Sequence, residues 1–358
     1  MHERDFNAAQ EFLLAVKNYW TTTMFRTLRA TYVELMAEVK DPAQKTDKAT
    51  DALQTKVLYK YFVWLERHLQ RMKYTGRYGL IPFHAERRDL LLEIIGTDCH
   101  DDYSPELHPE MRLPTYYKLM DTHQHPGGLW ADEIAGFVYE FGARSTTPLM
   151  GDAHNELHRR FTDFATGEAE FSRVLDMGCG FGKSTLPFIT RFPNAHVEGI
   201  DLSAPCLKVA AQTARDSEYR NVHYRQMDAQ DTKYDDESFD LVTSTMLLHE
   251  LPTEAVNRVL DEAFRLLRPG GHMVHLDFHI IPDEFRRFLH YGHAVRNNEP
   301  FMQDLAEMDL NAVLSAKGFE NITFSQFAES ENIDPDDNDV WRFPWTVISA
   351  RVPGGRHS

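Results

Sequence analysis

Residues 174–182 read Val-Leu-Asp-Met-Gly-Cys-Gly-Phe-Gly, an apolar strand that ends in an acid and turns through three glycines into a helix expected near Lys183. Such a turn at a strand end is where a nucleoside-bearing cofactor docks on an open α/β sheet. Gly178, Gly180 and Gly182 can take backbone angles closed to other residues and let a ligand approach the main chain. The N–H groups opening the next helix point to the same place. Asp201 ends the following apolar run, His196 to Ile200, and stands where a cofactor ribose would lie. A carboxylate there can accept both ribose hydroxyls.

Glycine spacing alone does not separate this turn from a dinucleotide-binding one. A dinucleotide fingerprint usually reads Gly-x-Gly-x-x-Gly and sets a pyrophosphate on the helix N-terminus. Here the spacing is Gly-x-Gly-x-Gly, and Asp176 sits two residues before the first glycine. A carboxylate in that place repels a pyrophosphate but pairs with the amino group of an amino-acid-bearing cofactor such as S-adenosylmethionine. Gly182-Lys183-Ser184 imitates the end of a phosphate-binding P-loop, but that loop needs a glycine where Met177 stands.

The order of motifs continues past the turn. Val197-Glu198-Gly199-Ile200-Asp201-Leu202-Ser203 is followed by Gln226-Met227-Asp228-Ala229, then Ser238-Phe239-Asp240-Leu241-Val242, then Leu266-Leu267-Arg268-Pro269-Gly270-Gly271. With the glycine turn, this ordered set resembles the class I S-adenosylmethionine-dependent methyltransferases over residues 173–350. The resemblance implies an α/β fold with a Rossmann-like, doubly wound seven-stranded sheet closed by an antiparallel strand. It implies S-adenosylmethionine as cofactor, with Asp176, Gly178, Gly180 and Gly182 on the methionine moiety and Asp201 on the ribose. Asp228 would meet the adenine amino group with Ala229 beside it, and Thr245 and Met246 would line the pocket at the next strand end. Cys179 and Leu202 fall in the same cofactor-facing stretches.

Each of these residues also has a purely structural reading. Asp228 can cap a turn, and Asp201 with Ser203 can simply begin a helix. Their occurrence together at successive strand ends favours a ligand site.

Apolar runs near 173–177, 196–200, 222–227, 239–245 and 272–277 alternate with helical patterns near 183–192, 204–217 and 253–268, as in a doubly wound sheet. Pro269-Gly270-Gly271 is expected to stop a helix and turn the chain into the fifth strand. A helical stretch around 301–317, a strand near 320–326 and a last apolar run from Trp345 to Val352 complete the pattern.

The chain has 358 residues, 42% of them hydrophobic, enough for two globular units. We expect a mainly helical accessory domain over 1–150, capping the substrate or joining a second subunit in a homodimer, and the cofactor domain over 151–358. A formal net charge of −17 argues against a nucleic-acid substrate. No apolar run approaches a membrane span and the N-terminus lacks a secretory pattern, so a cytoplasmic location is the expectation. Cys99, Cys179 and Cys206 are odd in number and widely spaced, giving neither a disulfide framework nor a zinc signature.

Within the first 150 residues, Phe12, Leu13, Val16, Tyr19 and Trp20 in one stretch, and Leu58, Phe62, Leu65 and Leu69 in another, recur at helical spacing. Asp41-Pro42 through Asp51 reads as a polar connector between them. The segment Asp121-Thr122-His123-Gln124-His125-Pro126-Gly127-Gly128-Leu129-Trp130 breaks the pattern and leads into a helix with Phe137, Tyr139 and Phe141. It reads either as a lid over an acceptor pocket or as a structural connector. His125 and Tyr139 are candidate acceptor contacts. His123 and His125 lack a third ligand at convincing spacing, so no metal is expected.

Candidate chemistry gathers after the fourth and fifth strands. His249, in Thr245-Met246-Leu247-Leu248-His249-Glu250-Leu251-Pro252, is placed to remove an acceptor proton or to orient the acceptor, or else to pack on adenosine or cap the helix near Thr253. In His275-Leu276-Asp277-Phe278-His279, alternation puts the three polar residues on one side, so Asp277 and His279 form either a pair that polarises an acceptor hydroxyl or a structural pair. Tyr291 and His293 are further acceptor contacts. The implied reaction is in-line transfer of a methyl group to a small-molecule acceptor with release of S-adenosylhomocysteine. A cyclase or lyase that consumes the same cofactor, and a non-catalytic cofactor-binding interaction protein, are the alternatives.

Overall fold

The computed structural model describes residues 1–40, 42–96, 102–144, 153–336 and 339–355, so Cys99 lies outside the described residues. Seven strands form one sheet: β1 (Arg173–Met177), β2 (His196–Asp201), β3 (Val222–Gln226), β4 (Phe239–Thr245), β5 (Leu267–Phe278), β6 (Glu320–Gln326) and β7 (Trp345–Arg351). Their order is β3-β2-β1-β4-β5-β7-β6. The first five run parallel, and β7 enters antiparallel between β5 and β6. The order reverses between β1 and β4, so the carboxyl ends of those strands frame the crevice where such sheets bind ligands. All seven residues of β4 are buried, as a central parallel strand covered on both faces requires.

Two local features differ from the sequence reading. The helix expected near Lys183 begins at Leu186, because Ser184 and Thr185 donate hydrogen bonds to Asp176 Oδ2 at 2.6 and 2.7 Å and hold the chain in a turn. Pro269-Gly270-Gly271 follows the helix Thr253–Leu266 as expected, but it lies inside β5. There the register against β4 jumps from Phe239↔Leu267 to Leu241↔His272, with Gly270 at φ 78°. The extra residues are taken up as a bulge. Residues 301–317 hold two short helices, Met302–Glu307 and Leu310–Ala316.

The N-terminal residues form helices over Glu3–Tyr19, Phe25–Met36, Pro42–Leu53 and Val57–Thr75. Asp41-Pro42 through Asp51 was read as a connector, yet Pro42–Leu53 is helical, and Ala49 and Leu53, four residues apart on one face, are fully buried. In the first helix the buried stripe is Phe6, Gln10, Leu13 and Lys17, while Phe12 and Tyr19 are 56% and 52% exposed. Residues 20–24 continue as a π-helical turn. The carbonyl of Thr21 within it accepts the backbone N–H of Trp341 at 2.8 Å, a use for the backbone group that such a bulge frees.

These helices do not close a core by themselves. Trp20, Phe25, Leu28, Phe62 and Leu69 pack with Phe285, Phe288, Leu289 and Trp341 from the other end of the chain. The ring of Phe25 meets that of Phe285 at 5.5 Å, and Trp20 meets Trp341 at 5.4 Å. The helix Glu284–Asn297, which carries the first three of these C-terminal residues, therefore joins the helical layer to the sheet. No helix among the described residues is long and apolar enough to cross a membrane.

Residues 102–144 then wrap the carboxyl end of the sheet. Glu106 forms a parallel bridge with Arg225, extending the edge of β3. Ser203 Oγ donates to the carbonyl of Leu129, tying the Pro-Gly-Gly segment to the helix Ala204–Asp216. The next helix, Ala135–Arg144, packs against that same helix so closely that a Cβ on Gly136 would lie 2.3 Å from the carbonyl oxygen of Pro205. Gly136→Ala is therefore expected to force the two helices apart at a cost of about 1–3 kcal/mol. A lowered thermal unfolding midpoint checks this; an unchanged midpoint contradicts it.

Candidate active site

The glycine turn is shaped for close approach. Gly178, Gly180 and Gly182 have φ of 70°, 52° and 83°. A Cβ on Gly182 would lie 2.7 Å from Tyr224 Oη. The turn has also spent several of its own donors: the N–H groups of Gly178 and Cys179 point to the carbonyl of Ile200 at 2.8 and 3.0 Å, and that of Gly180 to Asp201 Oδ2 at 2.8 Å. A phosphate nest needs such N–H groups free. This turn is built instead to hold Asp201, whose Oδ1 accepts from the N–H of Ser203 at 2.7 Å. Asp228 accepts from the backbone N–H of Gln230 at 2.9 Å, so it caps its own turn while bordering the cavity.

Asp176 lies fully buried beneath the turn. Its Oδ2 accepts from Ser184 and Thr185, and its Oδ1 has no protein partner. Burial pushes its carboxyl up to about 6, against the two hydroxyls that lower it. A buried carboxylate oxygen left open beneath the glycine turn fits a cofactor that brings an ammonium group, directly or through water.

Past β4 the chain takes a left-handed turn at Met246, φ 59°, then a short helical turn over Leu248–Glu250. Asp277, at the end of β5, grips this loop. Its Oδ2 accepts from the N–H of Leu248 at 2.7 Å, and its Oδ1 lies 2.6 Å from His249 Nδ1. From there acids and bases alternate across the cavity. His249 Nε2 is 3.4 Å from Glu250 Oε1, which is 2.9 Å from His123 Nε2. His123 Nδ1 is 3.1 Å from Glu299 Oε1, which is 3.6 Å from His293 Nε2. His293 Nδ1 lies 2.5 Å from Glu66 Oε1, and Glu66 also pairs with Arg296. Burial alone would lower His123, but Glu299 and Glu250 outweigh it and hold the ring at about 10. Burial likewise opposes the charge on His249, and Asp277 and Glu250 raise it well above its ordinary value.

One cavity, about 270 Å3 in volume, connects these parts. It runs from Gly178, Gly180, Asp201 and Asp228, past Met246, His249, Glu250 and His123, into a chamber walled by Lys17, Trp20, Glu66, Gln70, Tyr74, Asn297, Trp341 and Phe343.

Residues 174–271 match the family described as "Methyltransferase domain". The cofactor half belongs to the class I S-adenosylmethionine-dependent methyltransferases. Among curated relatives, the ubiquinone/menaquinone biosynthesis C-methyltransferase UbiE of Vibrio vulnificus is 28% identical over 203 residues, covering 49% of this chain and 75% of that protein. Phosphoethanolamine N-methyltransferase 2 of Caenorhabditis elegans is 28% identical over 141 residues, 39% of this chain and 31% of that protein. Among solved structures, Haemonchus contortus phosphoethanolamine N-methyltransferase 2, in complex with phosphomonomethylethanolamine and S-adenosylhomocysteine, is 18% identical. It has a TM-score of 0.47, covering 67% of this chain and 61% of that one.

In this methyltransferase the residues singled out in the sequence fall into two groups. Gly178, Cys179, Gly180, Asp201, Leu202, Asp228, Ala229, Thr245, Met246, His249, Tyr139 and His293 border the cavity. Asp277 reaches it only through His249. Asp176, Gly182, His279, His125 and Tyr291 do not border it, Asp176 lying beneath the turn. β5 ends at Phe278, so alternation stops one residue short of His279, whose Nδ1 lies 3.1 Å from the carbonyl of Leu305. The partner of Asp277 is thus His249 rather than His279. His125 is buried edge-on against Tyr74, 5.0 Å between centroids, and burial lowers it to about 4. Tyr291 is half-buried, its hydroxyl interacting with Glu307. His123 and His125 sit on a short helical turn and the residue after it rather than on a strand.

Glu66, Glu250, Glu299, Lys17 and Trp341 were not singled out. A signal existed for two of them: Lys17 and Glu66 interrupt buried stripes at positions whose neighbours three and four residues away, such as Leu13 and Trp20, or Phe62 and Leu69, are apolar. Burial lowers Lys17 to about 7.

The raised Asp176 gives a signed expectation. A carboxyl raised in the folded state contributes stability while protonated and loses it as pH climbs through its folded pKa. Without cofactor, stability should fall as pH rises from the ordinary value of 3.8 through about 6, by about 2–3 kcal/mol. Asp176→Asn is expected to abolish that fall, and to bind S-adenosylmethionine roughly tenfold more weakly or worse. Urea unfolding on either side of pH 6 and calorimetric titration measure the two effects; a variant with wild-type pH dependence would refute the assignment.

Proposed function

We propose that this protein methylates a small molecule that binds in the chamber beneath the N-terminal helices, with S-adenosylmethionine in the crevice at the ends of β1, β2 and β4. The observation that carries the reading is the continuity of the cavity from the glycine turn to that chamber. S-adenosylmethionine supplies an electrophilic methyl on a positively charged sulfur. The chain's share is alignment: holding two reactants in near-attack geometry is worth roughly 7–11 kcal/mol. Tyr139 and Phe181 meet edge-to-face at 5.5 Å beside the turn, and aromatic faces suit a sulfonium. His249, charged and pinned by Asp277, stands at the junction as a hydrogen-bond donor that orients the acceptor. It is not free to take a proton in that state. The two named relatives act on carbon and on nitrogen, so similarity does not choose the acceptor atom.

The deciding measurement is mass spectrometry of the protein with methyl-labelled S-adenosylmethionine and pooled small metabolites. Labelled product together with S-adenosylhomocysteine is expected; methylthioadenosine without labelled product would replace transfer by cofactor cleavage. Once an acceptor is in hand, Gln70→Leu tests the chamber. The carboxamide Oε1 of Gln70 is buried at the wall without a protein partner. The substitution is expected to raise the acceptor KM about tenfold, one hydrogen bond's worth, with cofactor affinity unchanged. An unaltered KM would place the acceptor elsewhere.

A further inference from the structure

The cluster between the two halves of the cavity holds more ligand-type atoms than alignment of an acceptor needs. His123, Glu250 and Glu299 each bring one such atom within 4.8 Å of the others, from three separate stretches of chain. Two carboxylates this close inside a cavity require positive charge between them. His123 stands between them, within reach of both, and supplies it from a left-handed φ of 55° that residues with a side chain adopt uncommonly.

Two further imidazoles face the same carboxylates. His249 Nε2 is 3.4 Å from Glu250 and His293 Nε2 is 3.6 Å from Glu299. Each is fixed from behind by a buried acid at its other nitrogen, His249 by Asp277 at 2.6 Å and His293 by Glu66 at 2.5 Å. A carboxylate behind the distal nitrogen is the arrangement that sets tautomer and ring orientation in histidines that ligate metals, and that raises their basicity. Its occurrence twice, on rings from different elements aimed at one pair of glutamates, is independent of the convergence of the first three residues.

We propose that His123, Glu250 and Glu299, completed by His249 and His293, bind one divalent transition-metal cation at the junction of the methyl-donor crevice and the acceptor chamber. The mixed imidazole and carboxylate donors favour Mn2+, Fe2+, Co2+ or Zn2+ over the all-oxygen sites of Ca2+ and Mg2+, and the absence of thiolate donors from the five disfavours Cu+. Ligand atoms about 2.0–2.2 Å from one cation stand roughly 3–3.5 Å from each other, so the separations of 2.9 and 3.1 Å within the trio already suit a shared ion, while His249 and His293, each beside one glutamate, must swing inward to join it. A cation there would hold an acceptor oxygen beside the methyl donor. That service rests on the methyl-transfer reading, whereas the existence of the site does not.

The test uses the full chain, stripped with chelator and titrated with Mn2+ alone, reading free Mn2+ by electron paramagnetic resonance. One bound equivalent is expected, displaced by Zn2+. Glu299→Gln and His123→Gln should each weaken binding roughly tenfold or more, and Glu66→Gln, which keeps all five proposed ligands but removes the acid behind His293 and the ion pair with Arg296, about 10–100-fold. Cofactor affinity measured without metal reports that each variant is folded. No saturable Mn2+ binding to the wild type, or binding unchanged in all three variants, would overturn the proposal. Mn2+ binding by a protein that transfers no methyl group leaves the site standing and removes only the proposed function; full methyl transfer with no bound metal removes only the site.

Discussion

The carboxylate of Asp277 is the constraint on which the site depends. It is fully buried at the end of a central strand, where both of its oxygens must find donors. The donors are the N–H groups of Leu248 and Phe278 and the ring of His249. Satisfying one acid therefore fixes the whole loop after β4, from the left-handed Met246 to Glu250. His123 and, behind it, His249 hold Glu250 ionised, and Glu299 with Glu250 holds His123 charged, so the pinned His249 ties one strand end into the electrostatics of the chamber. Breaking such a chain at any member leaves its neighbours buried without a counter-charge, which costs more than the lost contact.

The same chain explains why the two ends of the polypeptide must meet. Glu66 belongs to the helix Val57–Thr75, and its partners His293, Arg296 and Asn297 to the helix Glu284–Asn297. Apolar contacts bring these helices together, Tyr59 against Phe288 and Phe25 against Phe285. The polar contacts then set their rotation, because a buried carboxylate turned away from its partners would be left uncompensated, at a cost of about 3–5 kcal/mol. Hydrophobic burial supplies the attraction and the ion pairs supply the register. The chamber wall is the product of both, which is why acceptor-facing residues come from positions as distant as Lys17 and Trp341.

How much of this was legible follows from which contacts are local. The strands, the glycine turn and the acids at strand ends declare themselves because each depends on residues within a few positions: β1 and β4 begin and end where the apolar runs do, and β6 spans the expected 320–326. The helix Pro42–Leu53 was hidden because, among its described side chains, the buried apolar ones are only the i, i+4 pair Ala49 and Leu53, too sparse a stripe to see. The bulge at Gly270 was hidden because a bulge is a property of two strands. His279 was misplaced by a single residue, since alternation carries no mark of where a strand stops. Glu250 and Glu299 gave no signal at all: their meaning lies in His123, over a hundred positions away. His249 was visible beside the strand, but its charge was not, because that depends on Asp277 across the sheet.

The crevice and the chamber also select their occupants by opposite means. Asp176, Asp201 and Asp228 stand at three successive strand ends, with Lys183 as the basic side chain bordering that part of the cavity. The turn amides that would otherwise bind phosphate are committed to Ile200 and Asp201. A dinucleotide would meet carboxylates where it needs donors, whereas a cofactor with an ammonium group, a sulfonium and two ribose hydroxyls brings donors and positive charge to match. Exclusion of the wrong cofactor is thus built from the same residues that hold the right one. In the chamber, acids and imidazoles are already paired with each other, so an acceptor gains little from bare charge and must be chosen by shape between Trp20, Tyr74, Trp341 and Phe343 and by the few polar atoms, such as that of Gln70, which the protein leaves without a partner.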